Sequence, residues 1–288
     1  MIQRALLLST DRYPRDALLA RVEKIEELGF ESLWLPETFG REPIATAGYL
    51  LARSERLCIG TGIANVYVRD ANAMAQARHS LAELSSGRFL LGLGVSNAEM
   101  NAMRGHAWEP PLPKMKSYLD QLDAAAVWSP SAARPAPLHL AAHGPQLQKL
   151  ATARALGVIT FLMPLQHASV TRARLGGQPE LSVVVPFIAN GDPVSARAKA
   201  RARLQIYMQL DYYRREWRAL GFAETDFADG GSDRLIDALV AWGDADVLNA
   251  RIAAFERAGA TRVIVNPLEL HEGPAASARV LELLSPNG

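Results

Sequence analysis

Eight apolar runs, separated by stretches of helical periodicity along 288 residues, constrain the fold of this chain more than any other feature. They are Leu6-Leu7-Leu8, FESLWLPE (30–37), RLCIGTGI (56–63), RFLLGLGV (88–95), LHLAA (138–142), VITFLM (158–163), ELSVVVPFI (180–188) and TRVIVNP (261–267). None alternates apolar with polar. Strands of this kind are covered on both faces, and that arrangement belongs to parallel sheets. Between the runs, residues 15–28 place Leu18, Val22, Ile25 and Leu28 on one helical stripe, with Gly29 as the stop. Further helices are expected at about 43–54, 71–84 and 114–128, from Pro145, and just before 180. Others are expected at about 193–219, 233–241, 246–258 and 274–284, while 97–112 reads as an irregular, proline-containing loop. Strands alternating with helices give either an open doubly wound sheet or a closed barrel. Eight units in this length fit an α/β (β/α)8 TIM barrel, typically ~250 residues, with loop and helix insertions at its C-terminal face. No linker or shift in composition interrupts the chain, so residues 1–288 are expected to form one barrel domain.

Charge narrows the partners. With 31 basic and 30 acidic residues the net charge is +1, which does not suit a nucleic-acid binder or a membrane-surface protein. The single cysteine, Cys58, cannot close an internal disulfide and reads as a small core residue. Near the N-terminus the only apolar stretch is Ala5–Leu8, too short for a signal-peptide core, and no stretch approaches the ~20 residues of a membrane span. A cytoplasmic protein is expected. Its partners would be a small organic substrate and a second copy of the chain, with no nucleic acid and no membrane.

In such barrels the chemistry sits after the strands. That selects PETFGREP, GIANVYVRD, GVSNAEMN, AAHGPQ, MPLQH, ANGD and NPLE, and puts Arg88 on the opposite face as a structural anchor. The six histidines show no metal-ligand spacing, so no metal is expected. There is no G-x-S-x-G elbow, and no lysine at a strand end for a Schiff base. GLGVSN lacks the third glycine of a dinucleotide fingerprint. What remains at the strand ends is Gly, Ala, Val, Ile, Ser and Asn, a surface suited to a flat organic cofactor that brings its own chemistry. The basic run Arg197, Lys199, Arg201, Arg203 reads as a solvated helix face.

ELGFESLWLPE, GTGIANVYVRD and LSSGRFLLGLGVSN, continued by AAHGPQLQKLA and GGSDRLIDALVAWGD, resemble the bacterial-luciferase-like superfamily of flavin- and deazaflavin-dependent oxidoreductases. The likeness runs from about residue 15 to residue 266. Its N-x-Y-x-R element, Asn65, Tyr67 and Arg69, is similar to the branch using coenzyme F420, a deazaflavin hydride carrier. The resemblance implies hydride transfer between F420 and a small organic substrate. Its alternatives are a flavin mononucleotide (FMN) monooxygenase, with molecular oxygen and a separate reductase, and a non-catalytic flavin-binding relative.

For individual residues it implies a non-prolyl cis peptide at Gly62–Ile63, with Gly62, Ile63 and Ala64 behind the cofactor ring. Asn65, Tyr67 and Arg69 would meet the ring or its tail, with Arg69 pairing Asp70 or Glu99 as the other reading. Gly94, Val95, Ser96 and Asn97 would line the cofactor, and Ala141, Ala142, His143, Gly144 and Pro145 would receive its phosphate. At the end of the second strand, Glu37 and Thr38 stand where many relatives carry an acidic residue and a catalytic histidine. Threonine replaces that histidine, leaving Glu37 as the ionisable candidate, with an ion pair to Arg41 as the other reading.

Overall fold

The computed structural model describes residues 2–177, 179–270 and 274–286. In chain order its elements are β1 (Gln3–Leu7), α1 (Arg15–Glu27), β2 (Ser32–Leu35), α2 (Pro43–Leu51), β3 (Cys58–Thr61), β4 (Ala64–Asn65) and α3 (Ala71–Leu84). Next come β5 (Phe89–Gly94), α4 (Ala98–Met103), α5 (Pro111–Ala124), β6 (Leu138–Ala141), α6 (Pro145–Arg154), β7 (Gly157–Phe161) and α7 (Leu165–Leu175). Then follow β8 (Glu180–Ile188), α8 (Pro193–Leu204), α9 (Asp211–Ala219), α10 (Asp233–Leu239), β9 (Ala241–Trp242), α11 (Ala245–Arg257), β10 (Arg262–Pro267) and α12 (Pro274–Leu283). The expected alternation is there, and the class is the (β/α)8 barrel. Two two-residue strands, β4 and β9, are additions to the eight runs.

The chain divides into two compact units. One comprises Leu8–Glu27 and Glu31–Ile159; the other comprises Met1–Leu7, Leu28–Phe30 and Thr160–Gly288. In the first, β2, β3, β5, β6 and the start of β7 pair in parallel in that order, and β4 lies beside β5. Leu33, Trp34, Ile59, Phe89 and Leu91 are fully buried at its centre. Helix α1 buries Leu18, Val22 and Ile25, and Gly29 takes φ 83°, the left-handed conformation that ends a helix. In the second unit β1, β10, β8 and β9 pair in parallel. Its core gathers Leu162, Met208, Trp217, Leu235 and Ile236, with the Trp217 indole donating to the Leu162 carbonyl at 2.9 Å. Among the described residues no helix is long and apolar enough to cross a membrane.

Several expectations need correction. Residues 97–112 contain helix α4, capped by Asn97, whose side chain accepts from the Met100 amide at 2.8 Å. Six residues are too few to show a helical period, but the cap was a readable signal. The expected helix 193–219 breaks into α8, a 3-10 turn at Tyr207–Gln209 and α9. Cys58 is partly exposed at the start of β3, not a core residue. The basic run is also more than a solvated face. Arg197 binds Asp233 and Asp237, Lys199 binds Glu269, and Arg201 binds Asp233.

Arg88 is the structural anchor expected. Its guanidinium donates to the carbonyls of Leu51, Leu57 and Ser85 and to the Ser54 hydroxyl, at 2.8–3.2 Å. Arg88→Ala would strip donors from several part-buried acceptors, each costly to leave unmet. We expect a loss of about 2–4 kcal/mol of stability in urea unfolding, with cofactor affinity unchanged wherever the protein is folded.

Candidate functional site

The strand ends of the first unit bring together most of the residues selected from the sequence. After β3 the Gly62–Ile63 peptide is cis, and the Gly62 amide donates to the Leu35 carbonyl at 2.8 Å. The chain then joins β5 in a short parallel register, Ala64 to Leu93 and Asn65 to Gly94, and the Val66 amide donates to the Gly94 carbonyl at 3.0 Å. At Gly94 a side chain would displace Ile63: a Cβ built there would lie 2.6 Å from Ile63 Cγ1 and 3.2 Å from Ala141 Cβ. Ile63 therefore sits on a gap left by a missing side chain. Ile63, Val95, Ser96, Ala141, His143 and Gly144 are all partly exposed, while Ala64 and Ala142 are buried. The result is a shallow shelf of small groups with an isoleucine face.

Two features of the shelf's rim fit a cofactor with a phosphate. Ser96 adopts φ 58°, a left-handed conformation uncommon for a non-glycine residue. Helix α6 starts at Gly144 and Pro145 with no side-chain cap, while Gln148 is occupied with the His143 carbonyl at 2.7 Å. Uncapped amides at a helix start attract anions. The residues that could hold a flat ring are Ile63 and its small neighbours, and the helix start at Gly144 could receive a phosphate. The small, partly exposed side chains around Ile63 have the chemistry that suits a flat ring, so the residues fit such a group.

Asn65, Tyr67 and Arg69 are each bonded to a different distant segment: helix α4, the loop before α5, and the stretch between β2 and α2. The Asn65 side-chain amide donates to Asn101 at 2.8 Å, and Asn101, fully buried, donates to the Val95 carbonyl at 2.9 Å. Asn65 also accepts from the Tyr67 amide at 3.1 Å. The Tyr67 hydroxyl receives the Glu109 amide at 2.9 Å and donates to the Glu109 carbonyl at 3.3 Å. Its ring lies nearly parallel to Trp108, with His106 nearby and the Lys114 ammonium over its face at 4.5 Å. Tyr67 thus pins the loop between α4 and α5.

Arg69 does not pair with Asp70 or Glu99. It forms a bidentate bridge to Glu37 at 2.7 and 3.0 Å and also binds Glu42. Glu42 in turn caps α2 through the amides of Ile44 and Ala45. Glu37, with its side chain 4% exposed, additionally accepts the Asn65 amide at 2.7 Å. Arg41, the other partner considered for Glu37, instead donates to the carbonyls of Thr10 and Tyr13. Thr38 is exposed. Its hydroxyl donates to Asp11 at 3.3 Å and its carbonyl receives Arg104, so it braces a loop. Close by, burial pushes the Tyr118 phenol well above its ordinary pKa, partly opposed by the Arg69 charge. The residues that reading the sequence missed are Asn101, Glu42, Trp108 and Lys114. They are the partners' side of these contacts, on α4, at the start of α2, in the loop before α5 and on α5. No group of three or more metal-ligating side chains occurs among the described residues.

A family model described as luciferase-like monooxygenase matches residues 3–262. A 5,10-methylenetetrahydromethanopterin reductase of Methanolobus tindarius is 25% identical over 206 residues, 63% of each chain, so the match spans under two thirds of that relative. A putative coenzyme F420-dependent oxidoreductase of Mycobacterium tuberculosis is 23% identical, over 85% of this chain and 88% of its own. Among solved structures, the oxygenating constituent of 3,6-diketocamphane monooxygenase of Pseudomonas putida, a type II Baeyer-Villiger monooxygenase in complex with FMN, superposes with a TM-score of 0.73. That likeness covers 99% of this chain and 97% of the other at 13% identity, and it shows the fold.

Proposed function

The chain belongs to the luciferase-like monooxygenase family, and we propose that it is an F420-dependent oxidoreductase acting on a small organic substrate. The observation that carries this reading is the shelf formed by Ile63 on Gly94 beside Ala141, joined to an uncapped helix start at Gly144. An apolar, small-residue floor lets a tricyclic ring approach the backbone closely, and the helix start offers amides to a phosphate. The M. tuberculosis relative named for F420 supports the cofactor. When bound, F420 supplies the hydride chemistry. The chain's own residues orient the ring, exclude water and shape the substrate space.

Parallel fluorescence and absorbance titrations with F420 and FMN test the reading. F420 is expected to bind about tenfold more tightly, a difference of about 1.4 kcal/mol. Because Arg69 is committed to Glu37 and Glu42, that margin should barely change as salt is added. Tighter FMN binding, with rapid reaction of the reduced flavin with oxygen, would place the protein with the FMN monooxygenases. Tight binding without turnover on a broad panel of alcohols, aldehydes and ketones would favour a non-catalytic binding role.

A further inference from the structure

We propose that Glu37 is the positioning residue of the cofactor shelf, setting where Ile63 lies by holding the Asn65 amide while Arg69 holds Glu37. The inference rests on the functional reading above, in that the shelf is taken to seat the F420 ring.

The mechanical path is short. One Glu37 oxygen accepts the Asn65 amide at 2.7 Å and one arm of Arg69 at 3.0 Å, while the other accepts the second arm at 2.7 Å. The two oxygens therefore receive three N–H groups, and a proton placed on either would meet a donor. This geometry suits a fixed strut rather than a group that gives up a proton. Asn65 belongs to β4, whose only two residues pair with Leu93 and Gly94. Two ladder positions hold a segment weakly, because little backbone bonding is shared out over them. Glu37 adds a charged acceptor to the same backbone. On the other side the Asn65 side chain is tied to Asn101, so the residue is gripped from the end of β2 and from α4 together. Ile63 lies two residues upstream and rests against the bare Cα of Gly94, where a small slide of β4 would lift it from the floor. Glu42 extends the clasp to the start of α2 through Arg69.

The test uses the full-length protein with F420 as the probe, comparing wild type, Glu37→Gln and Glu37→Ala. Glutamine keeps an acceptor for the Asn65 amide; alanine keeps none. Five readouts are taken: F420 dissociation constant, absorption spectrum of bound F420, hydrogen exchange of the segment around Asn65, melting temperature, and turnover on the panel of alcohols, aldehydes and ketones. Glu37→Ala is expected to weaken F420 at least about tenfold and to shift its bound spectrum. It should also speed exchange at Asn65 by about a hundredfold, while segments in β8 and β10 are unchanged. Glu37→Gln should lie within about threefold of wild type in affinity, with the wild-type spectrum. A purely structural residue would lower the melting temperature in both variants and leave the bound spectrum alone, and that result overturns the proposal. So does Glu37→Gln binding F420 normally while losing all turnover, since that outcome marks a proton donor. If wild type binds no F420, the functional reading fails, and exchange at Asn65 still decides whether Glu37 holds β4. Unchanged exchange in Glu37→Ala then rejects the strut.

Discussion

Gly92→Ala is expected to leave no folded protein. A Cβ at this position in β5 would lie 2.1 Å from the Thr61 carbonyl oxygen and 3.0 Å from Ile159 Cδ1. The first neighbour is backbone, so no rotamer change relieves it. Gly92 is also where β3 and β5 are bolted together, its amide donating to the Thr61 hydroxyl at 3.0 Å and its carbonyl accepting from the same hydroxyl at 2.8 Å. Pushing the strands apart would break both bonds and open the layer in which Leu91, Ile59 and Phe89 are fully buried. Overpacking a core typically costs 1–3 kcal/mol, and a backbone clash between adjacent strands should exceed about 4. That is a large part of the roughly 5–15 kcal/mol by which such a chain is stable. Expression of Gly92→Ala should yield insoluble protein, or a soluble species without a cooperative urea transition. A folded variant with a midpoint near wild type would show that β3 and β5 are spaced differently from the structure described.

Arg69→Ala should be the second most damaging change, and through stability before ligand binding. The Glu37 side chain is 4% exposed and would keep a single N–H donor, the Asn65 amide. Breaking a buried ion pair by removing one partner costs about 3–5 kcal/mol, since the remaining charge stays desolvated. Glu42, half-exposed, loses little because water reaches it. The double variant Arg69→Ala/Glu37→Gln should regain more than half of the loss, because a neutral amide needs no counter-charge there. Urea unfolding of the two single variants and the double variant measures the coupling. Had Arg69 been free for an acidic tail, alanine there would weaken only cofactor binding. A single variant within about 1 kcal/mol of wild type, with strictly additive effects in the double, would remove the clasp from the account of this site.

Much of the site's outline could be read directly. The strand-end rule brought Ile63, Ala64, Gly94 and Ala141 together, Ala64 and Gly94 beneath the others, and the cis peptide at Gly62–Ile63 implied by the resemblance is present. Arg88 falls where a residue before a strand should fall. Roles of the long polar side chains were not legible in the same way. Arg69 and Glu37 are 32 positions apart, and Tyr67 and Glu109 are 42 apart, with nothing local to mark them as partners. The ion pairs weighed as alternative readings, Arg41 with Glu37 and Asp70 or Glu99 with Arg69, are not the ones formed. A guanidinium reaches several ångströms, and which carboxylate it finds depends on how the loops fold back.

Sequence alone determined the class of fold and the composition of the shelf, because both rest on short-range rules. Apolar runs of strand length dictate a parallel sheet buried on both faces, and small residues at strand ends leave backbone open to a flat ligand. Tertiary structure alone decided which distant partners Asn65, Tyr67 and Arg69 take, and that Glu37 is occupied on both oxygens. Those outcomes follow from contacts between segments far apart in the chain. Their energies depend on distance, burial and the geometry of donors, none of which a residue's neighbours in sequence can supply.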